Sequence, residues 1–230
     1  MLYHDNYLLL IWKDPKTRRN YTVGKLSYNE NIYMFEYSED AVYAEDAGWT
    51  LLSSFPKRTV YKSEILFPVF SSRLPDRKRR DIEKILSKYA LEEFNEFELL
   101  RKSGARLPID TYEFVDPIFP NDETVERDFF VMGIRHHAEC LGKDCSLLPE
   151  LEVGDLLELK EEPENKYDPM AIRVLTQEGK HLGYIPRYYN KPILDRLHNG
   201  TTYTCKVLEV LTSRICSECV KVRINMPSTI

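Results

Sequence analysis

The sequence lacks the features of a membrane or secreted protein. It has no run of about 18 apolar residues, so we expect no membrane-spanning helix. The start, Met1 to Asp5, contains an acid and no cluster of basic residues, which is not typical of a secretory signal. The five cysteines are an odd number and all lie in the C-terminal half, so we expect thiols rather than a disulfide framework. These features predict a cytoplasmic protein.

A basic excess is also lacking. Lys and Arg number 32 against 37 Asp and Glu, and both halves of the chain carry a small acidic excess. A protein that binds duplex DNA broadly needs a track of positive charge for the phosphates. Any nucleic-acid contact of this chain must therefore come from a local site.

Sequence motifs of the common catalytic sites are missing as well. The five histidines form no His-Glu-x-x-His spacing, and there is no Gly-x-Ser-x-Gly nucleophile turn. The sequence gives no positive case for an enzyme, and we expect none.

The chain is organised as two units and a linker. We expect an α+β protein: a small β/α module at 1–105, a linker with several prolines at 106–125, and a small, partly closed β-barrel with one or two short helices at 126–230. Asp76 is the expected N-cap of the first helix, and Gly104 the expected C-cap of the second. The predicted strands are 7–12, 22–27, 32–37, 129–133, 156–161, 171–175, 181–185, 203–211 and 220–224, and the predicted helices lie within 76–102 and at 191–198, with Pro192 in the first turn of the last helix.

The C-terminal unit carries the most specific pattern. Residues 165–172 read Asn-Lys-Tyr-Asp-Pro-Met-Ala-Ile, a polar loop that runs into a strand, and residues 182–187 read Leu-Gly-Tyr-Ile-Pro-Arg. Residues 133–137, Gly-Ile-Arg-His-His, close the first predicted strand of the unit. Together, over about residues 127–225, these segments resemble the HIRAN domain.

The resemblance implies an OB-like barrel that binds single-stranded DNA, particularly a free 3′ end. By position, Tyr184 and Arg187 would line the rim of the DNA site. The implied DNA-binding residues are Arg135, His136, Asn165, Tyr167, Asp168, Tyr184 and Arg187.

The implied roles fit the chemistry of a strand end. Arg135 and Arg187 would contact phosphates, and His136 occupies the place of a stacking aromatic residue. Tyr167 would stack on a base, which contributes about 1–3 kcal/mol without reading sequence. Asp168 would accept a hydrogen bond from the terminal 3′-hydroxyl, because a carboxylate beside phosphates is tolerated only where a donor ends the strand.

A structural interpretation of the same loop stays open. Tyr167-Asp168-Pro169 is also typical of a turn in which the Asp accepts hydrogen bonds from backbone amides and the Tyr packs on the barrel. Residues 161–164 include three glutamates, which weaken attraction to DNA, and residues 140–149 could cover or reshape the site.

Four cysteines have spacings that zinc sites use. Cys140 with Cys145, and Cys216 with Cys219, could supply four thiolates to a structural zinc ion. The second pair also lies where a turn between two strands is expected, and we prefer plain thiols. We therefore expect no cofactor, with zinc as the alternative.

The N-terminal unit carries a second resemblance. Residues 23–27, 32–37 and 51–56 are followed by residues 65–76, which read Ile-Leu-Phe-Pro-Val-Phe-Ser-Ser-Arg-Leu-Pro-Asp, and then by the predicted helices. Over about residues 20–105 this order resembles the N-terminal subdomain of HipA-type serine/threonine kinases. In that family Asn-Leu-Leu-Pro stands where this chain has Ser-Arg-Leu-Pro at 72–75.

The sequence lacks the motifs that kinases use to bind ATP and transfer phosphate. There is no Gly-rich phosphate loop, no His-Arg-Asp run and no Asp-Phe-Gly run. The resemblance therefore implies an interaction element that docks onto a separately encoded kinase or another partner.

The densest basic run is Arg77-Lys78-Arg79-Arg80. We interpret it as a solvated first turn of a helix, with a patch for DNA or an acidic partner as the alternative.

These observations predict a non-enzymatic adaptor. It would bind single-stranded DNA, in particular a 3′ end, through the C-terminal unit and a protein through the N-terminal unit. Two alternatives stay open. One is a regulatory or antitoxin-like subunit of a HipA-type kinase or defence system that binds no DNA, and the other is a protein stabilised by a metal ion.

Overall fold

The computed structural model describes residues 6–137, 151–211 and 218–227. The chain divides into two compact units between Pro117 and Ile118. This division falls inside the segment that the sequence predicts as a linker. In the described ranges, none of the helices combines the length and the apolar character that crossing a bilayer requires.

The first unit is built on five strands. They are β1 (Tyr7–Lys13), β2 (Asn20–Asn29), β3 (Ile32–Tyr37), β4 (Tyr61–Ser63) and β5 (Tyr112–Val115). The sheet is antiparallel in the order β4-β3-β2-β1-β5. Glu30 and Asn31 have φ of 49° and 63° and form the two-residue turn between β2 and β3. The three strands predicted within residues 7–37 are confirmed.

Strand β5 lies in the segment predicted as a linker. It pairs with β1 from Leu9 to Trp12, and Phe114 and Val115 are buried. Prolines at 108 and 117 flank these four residues. A short strand between two prolines gives too few alternating positions to predict, so the structure corrects this part of the linker.

From residue 6 onward, the first unit also has four helices: α1 (Ala41–Asp46), α2 (Pro68–Ser71), α3 (Ile82–Lys88) and α4 (Glu96–Ser103). Helix α4 is capped by Asn95, whose side chain accepts from the backbone N–H of Glu98. Gly104 is the C-cap with a φ of 68°, as the sequence predicts. Phe35, Phe55, Phe70 and Phe114 form the centre of the core, with neighbouring rings 4.4–5.3 Å apart.

The predicted start of the first helix is wrong. Asp76 does not cap a helix; its Oδ1 accepts from the backbone N–H of Lys78 at 2.7 Å and closes a turn. Four adjacent cations would also oppose the positive end of a helix dipole. Helix α3 begins only at Ile82, so the basic run 77–80 lies in the turns that precede it.

In its described residues, the second unit has six strands and two helices. The strands are β6 (Val125–Phe130), β7 (Leu156–Glu161), β8 (Ile172–Leu175), β9 (His181–Tyr184), β10 (Thr204–Val210) and β11 (Val220–Met226), and the helices are α5 (Ile134–His137) and α6 (Arg187–His198). The strand order is β6-β11-β10-β7-β8-β9. The predicted α+β class is confirmed.

The two ends of this sheet meet. Met132, just after β6, exchanges both backbone hydrogen bonds with Tyr184, at the end of β9, each at 2.8 Å. The sheet therefore curls into a half-barrel, as the sequence predicts. The approach requires Gly183, because a Cβ there would lie 2.3 Å from the carbonyl oxygen of Met132.

Two element boundaries near the predicted site are corrected. The first strand ends at Phe130, and the positive φ of Gly133, 77°, turns the chain into α5, so Arg135 lies on a short helix rather than at a strand end. Helix α6 begins at Arg187, directly after Pro186, four residues before the predicted start. Pro192 consequently lies inside the helix and not in its first turn.

Arg73 joins the turn after α2 to the chain that enters β5. Its guanidinium donates to both carboxylate oxygens of Asp110, at 2.5 and 2.9 Å, and to the carbonyls of Ala105 and Tyr112, at 2.9 and 3.0 Å. Burial alone would raise the pKa of Asp110, but the Arg73 hydrogen bonds outweigh it and the pKa is lowered. The pair is therefore ionised at neutral pH.

We expect Arg73→Ala to lower the free energy of unfolding of the first unit by about 2–3 kcal/mol at neutral pH, because a half-buried carboxylate loses its cation. The difference from wild type should shrink below about pH 4. A lowered pKa stabilises the fold above the unfolded-state pKa, and this contribution disappears as Asp110 takes up its proton. Urea unfolding followed by tryptophan fluorescence measures this, since Trp12 and Trp49 are the chain's two tryptophans.

Arg79→Ala is the matched control, because Arg79 pairs with Asp81 and both side chains are exposed. It should leave the free energy of unfolding nearly unchanged. An equal loss in both variants, or a penalty for Arg73→Ala that does not change with pH, would contradict the assignment.

We expect Gly183→Ala to destabilise the second unit by about 1–3 kcal/mol, because the new methyl group forces Met132 away and breaks the paired hydrogen bonds. Hydrogen exchange should show lost protection at the amides of Met132 and Tyr184. Gly179→Ala is the control: it has a φ of 80° but open space around it, so it costs about 1 kcal/mol of backbone strain. Protection of Tyr184 should survive in the control, and its survival in Gly183→Ala would refute the steric argument.

Candidate nucleic-acid interface

Asn165 organises the loop between β7 and β8. Its Oδ1 accepts from the backbone N–H groups of Tyr167 and Asp168, at 3.0 and 3.2 Å. Its Nδ2 donates to Glu162 Oε2 at 2.6 Å. Because both ends of the side chain are engaged, the loop has one preferred shape before any ligand arrives.

This loop presents Tyr167 to solvent. The residue is 82% exposed. Its ring does not pack on the barrel, in contrast to the structural interpretation of the loop. An exposed aromatic face on a hydrogen-bonded loop is a surface on which a base can stack.

Asp168, the next residue of the same loop, is buried, with 7% exposure. Its Oδ1 accepts from the backbone N–H of Met170 at 2.9 Å, and its Oδ2 accepts from Asn190 Nδ2 at 3.0 Å. The same Oδ2 lies 3.5 Å from Nε of Arg187, whose side chain is 54% exposed. The Asp thus caps a backbone amide, as the structural interpretation has it, and also holds an exposed cation.

Tyr184 and Glu162 form the next contact along the rim. The Tyr184 hydroxyl donates to Glu162 Oε2 at 2.9 Å and receives the Asn165 Nδ2 at 3.4 Å. Burial, followed by the Glu162 carboxylate, raises the pKa of Tyr184 to about 12. The hydrogen bonds from Asn165 and Tyr184 outweigh burial and lower the pKa of Glu162. Glu162 is therefore an ionised acceptor within the site.

The acidic character of this loop is partly satisfied inside the protein. Glu162 accepts two side-chain hydrogen bonds, and its Oε1 lies 3.9 Å from Arg173 Nε. Oε1 of Glu161 lies 2.7 Å from Nε2 of His198. Two of the three glutamates thus have partners, which reduces the repulsion of DNA that the sequence predicts.

Helix α5 brings the remaining predicted residues to this side of the barrel. Arg135 and His136 are exposed, and Arg135 Nε donates to His136 Nε2 at 3.1 Å. The next residue, His137, lies with its ring 4.0 Å from that of His181 and meets the Tyr184 ring edge-on at 5.2 Å. Burial, followed by the charge of His181, lowers the pKa of His137, so this ring is neutral at pH 7.

The seven predicted residues thus lie on connected elements. Hydrogen bonds or an ion pair join Asn165 to Tyr184 and Asp168 to Arg187, and Tyr167 lies on the loop that carries Asn165 and Asp168. Arg135 and His136 approach through α5, by way of the ring contact between its last residue and Tyr184.

Sequence reasoning missed Asn190 and the roles of Glu162, His137 and His181. Asn190 lies three residues after Arg187 on the same face of α6, so a correct helix start would have placed it beside Arg187, although not against Asp168. The contact between the two histidines depends on the curl of the sheet, which no local pattern encodes.

Of the four candidate zinc ligands, one lies in the described residues. Cys140, Cys145 and Cys216 lie outside the described residues, and Cys219 is buried. Within the described ranges, no group of three or more His, Cys, Asp or Glu side chains is arranged to hold a metal ion.

The first unit contains a cavity of about 650 Å³. The rings of Tyr28 and Tyr33, stacked 4.3 Å apart, belong to its lining. Arg77, from the basic run, lies 5.8 Å above the ring of Phe94 at the same cavity, and Glu96 adds a carboxylate. The cavity therefore combines aromatic surface with charges of both signs.

Comparisons with known proteins find both resemblances. Residues 125–218 match the HIRAN domain family model, and residues 18–108 match that of the HipA N-terminal domain. No curated protein matches the chain.

Two crystal structures are similar to part of the chain. One is a protein from Lactobacillus plantarum, 24% identical, with a TM-score of 0.36 over 46% of this chain and 99% of its own. The other is the HIRAN domain of human HLTF, 15% identical, with a TM-score of 0.35 over 46% of this chain and 80% of its own.

The two family matches confirm the domain types that the sequence predicts, in the predicted order. A HIRAN domain binds DNA and is not catalytic by itself. The chain thus carries a HipA N-terminal domain followed by a HIRAN domain.

Proposed function

We propose that this protein is a non-enzymatic adaptor. Its HIRAN domain binds single-stranded DNA, with a preference for a free 3′ end, and its HipA N-terminal domain binds a protein partner. The observation that carries the proposal is an exposed Tyr167 ring that is followed in the same loop by the buried Asp168, which lies 3.5 Å from the exposed Arg187. We further propose that the protein is cytoplasmic.

Tyr167 supplies affinity without sequence preference. Stacking of one base contributes about 1–3 kcal/mol, and every base has a face to stack. The ring needs no rearrangement to receive a base, because Asn165 fixes the backbone on either side of it.

Asp168 and Arg187 supply a reason to prefer a 3′ end. An ionised carboxylate has about four acceptor positions, and three donors already approach Asp168, so one more donor can be accommodated. A terminal hydroxyl is such a donor, whereas a phosphate at the same place would be repelled. Arg187, beside it, is suited to the preceding phosphate.

Arg135 and His136 extend the site along the strand. Both are exposed on α5, and the Arg135 guanidinium is always charged. A chain with a net charge of −5 needs such a local arrangement to attract a polyanion.

We expect wild-type protein to bind a labelled ten-base strand with a 3′-hydroxyl more tightly than the same strand with a 3′-phosphate. Tyr167→Ala should weaken binding of both strands by about 5- to 150-fold, the loss of one stacked base. Fluorescence anisotropy at low salt measures both effects. A strand with only its 5′ end accessible is the third ligand and should bind like the phosphorylated one.

Tyr167→Phe is the matched control, because it keeps the ring and removes only the hydroxyl. It should bind like wild type. Arg135→Ala should reduce the slope of log affinity against log salt concentration by about 0.7, as expected when one phosphate contact to a single strand is lost. Failure of wild type to bind any strand at low salt would refute the DNA proposal.

A second candidate function rests on the match to the HipA N-terminal domain and on the cavity in that unit. In this alternative the protein is a regulatory or antitoxin-like subunit of a HipA-type kinase and uses no DNA site. The aromatic surface and the charges of both signs at the cavity would suit a peptide segment of such a partner.

We expect the protein, if it is such a subunit, to elute as one complex with a HipA-type kinase of the same genome after co-expression. Arg77→Ala should weaken the complex, because Arg77 lines the cavity. Arg80→Ala is the control from the same basic run. Separate elution of the two proteins would exclude this candidate, and equal loss in both variants would exclude the cavity as the contact.

A further inference from the structure

Asn190 is a polar side chain in the interior of the HIRAN domain. It is 3% exposed and lies on α6, on the face that meets the β7–β8 loop. Its Nδ2 donates to Asp168 Oδ2 at 3.0 Å, while its Oδ1 is buried with no hydrogen-bond partner among the described residues.

An unsatisfied buried acceptor costs about 1–3 kcal/mol. An apolar side chain at this position would avoid that cost, but it would leave Asp168 Oδ2 without its inner donor. The reversed amide would bring two oxygens together at Asp168, so the observed orientation is the one that the carboxylate imposes. The fold thus loses some stability because Asn190 donates one hydrogen bond to Asp168 and leaves its own oxygen unpaired. A buried polar group that stays unpaired in this way is typical of functional positions.

The carboxylate of Asp168 is held from three directions. Met170 holds Oδ1 from the loop backbone, Asn190 holds Oδ2 from the interior, and Arg187 approaches Oδ2 from the solvent side. Asn190 and Arg187 are three residues apart, so both reach Oδ2 from one face of α6.

We propose that Asn190 is the positioning residue for recognition of the strand end. It fixes the plane of the Asp168 carboxylate so that the remaining acceptor position faces the site. This inference rests on the proposed function. Asn190 itself is buried and does not touch the DNA.

Loss of the inner donor has a defined consequence. Without Asn190 the carboxylate can turn towards Arg187 and form a closer ion pair with it. The acceptor for the hydroxyl and the cation for the phosphate would then satisfy each other. Stacking on Tyr167 and the contact of Arg135 would remain, so preference for the 3′-hydroxyl is lost while general binding of the strand persists.

The test compares the ratio of the two dissociation constants, for 3′-phosphate and 3′-hydroxyl strands, by anisotropy. Asn190→Ala should lower this ratio by about tenfold, the effect of one charge-assisted hydrogen bond. Asp168→Asn should lower it as well, and the double variant should lower it no further than Asp168→Asn alone, because Asn190 acts only through Asp168.

Lys191→Ala is the matched control. Lys191 is the next residue on α6, is exposed and pairs with Asp195, so its removal should leave the ratio unchanged. If Asn190→Ala does not fold, as judged by its thermal melt, Asn190→Ser keeps a donor at shorter reach and should lower the ratio less.

The outcomes separate the inference from the function on which it rests. A wild type without preference for the 3′-hydroxyl overturns both. A wild-type preference that survives Asn190→Ala overturns the inference alone. Equal weakening of both strands in Asn190→Ala, with the ratio kept, would assign Asn190 a purely structural role and also overturn it.

Discussion

The backbone pairing of Met132 with Tyr184 is the constraint on which the candidate interface depends. It joins the two ends of a six-stranded sheet, and it exists because Gly183 has no side chain to hold them apart. The same junction brings the chain after β6 to the end of β9, where His137 of α5 meets the ring of Tyr184. One glycine thus permits the contact between these two elements.

The interface also shows how an acidic protein can present a site for a polyanion. Most of the carboxylates near the site accept hydrogen bonds from within the protein, as Glu162 does from Asn165 and Tyr184. Glu161 and Glu164 are exposed, but so are the ring of Tyr167 and the guanidinium groups of Arg135 and Arg187. Net charge governs long-range attraction, but the sign of the potential at contact is set by which groups reach the surface.

The sequence predicts the two domain types and most strands, because alternation and turn residues are local signals. The wrongly predicted boundaries are those where a single residue changes the direction of the chain. Gly133 leads the chain into α5 where the sequence predicts the end of a strand, and α6 begins directly after Pro186, four residues before its predicted start. The site residues lie on connected elements, whereas the role of Asn190 was not predictable. Its partner is 22 residues away in sequence, and a buried amide resembles any other polar helix residue until the carboxylate opposite it is known.

A buried carboxylate beside an exposed cation raises the question of how both charges stay available to a ligand. With no other partners in a partly buried site, the two would form a close ion pair, and neither would be available to a ligand. Here the carboxylate is also bonded by a backbone amide and by Asn190, so Arg187 is held at 3.5 Å, and its side chain remains 54% exposed. Such a divided pair keeps both charges available at the cost of one unsatisfied acceptor. The fixed shape of the loop and the unpaired Oδ1 of Asn190 in the interior are therefore two consequences of the same arrangement.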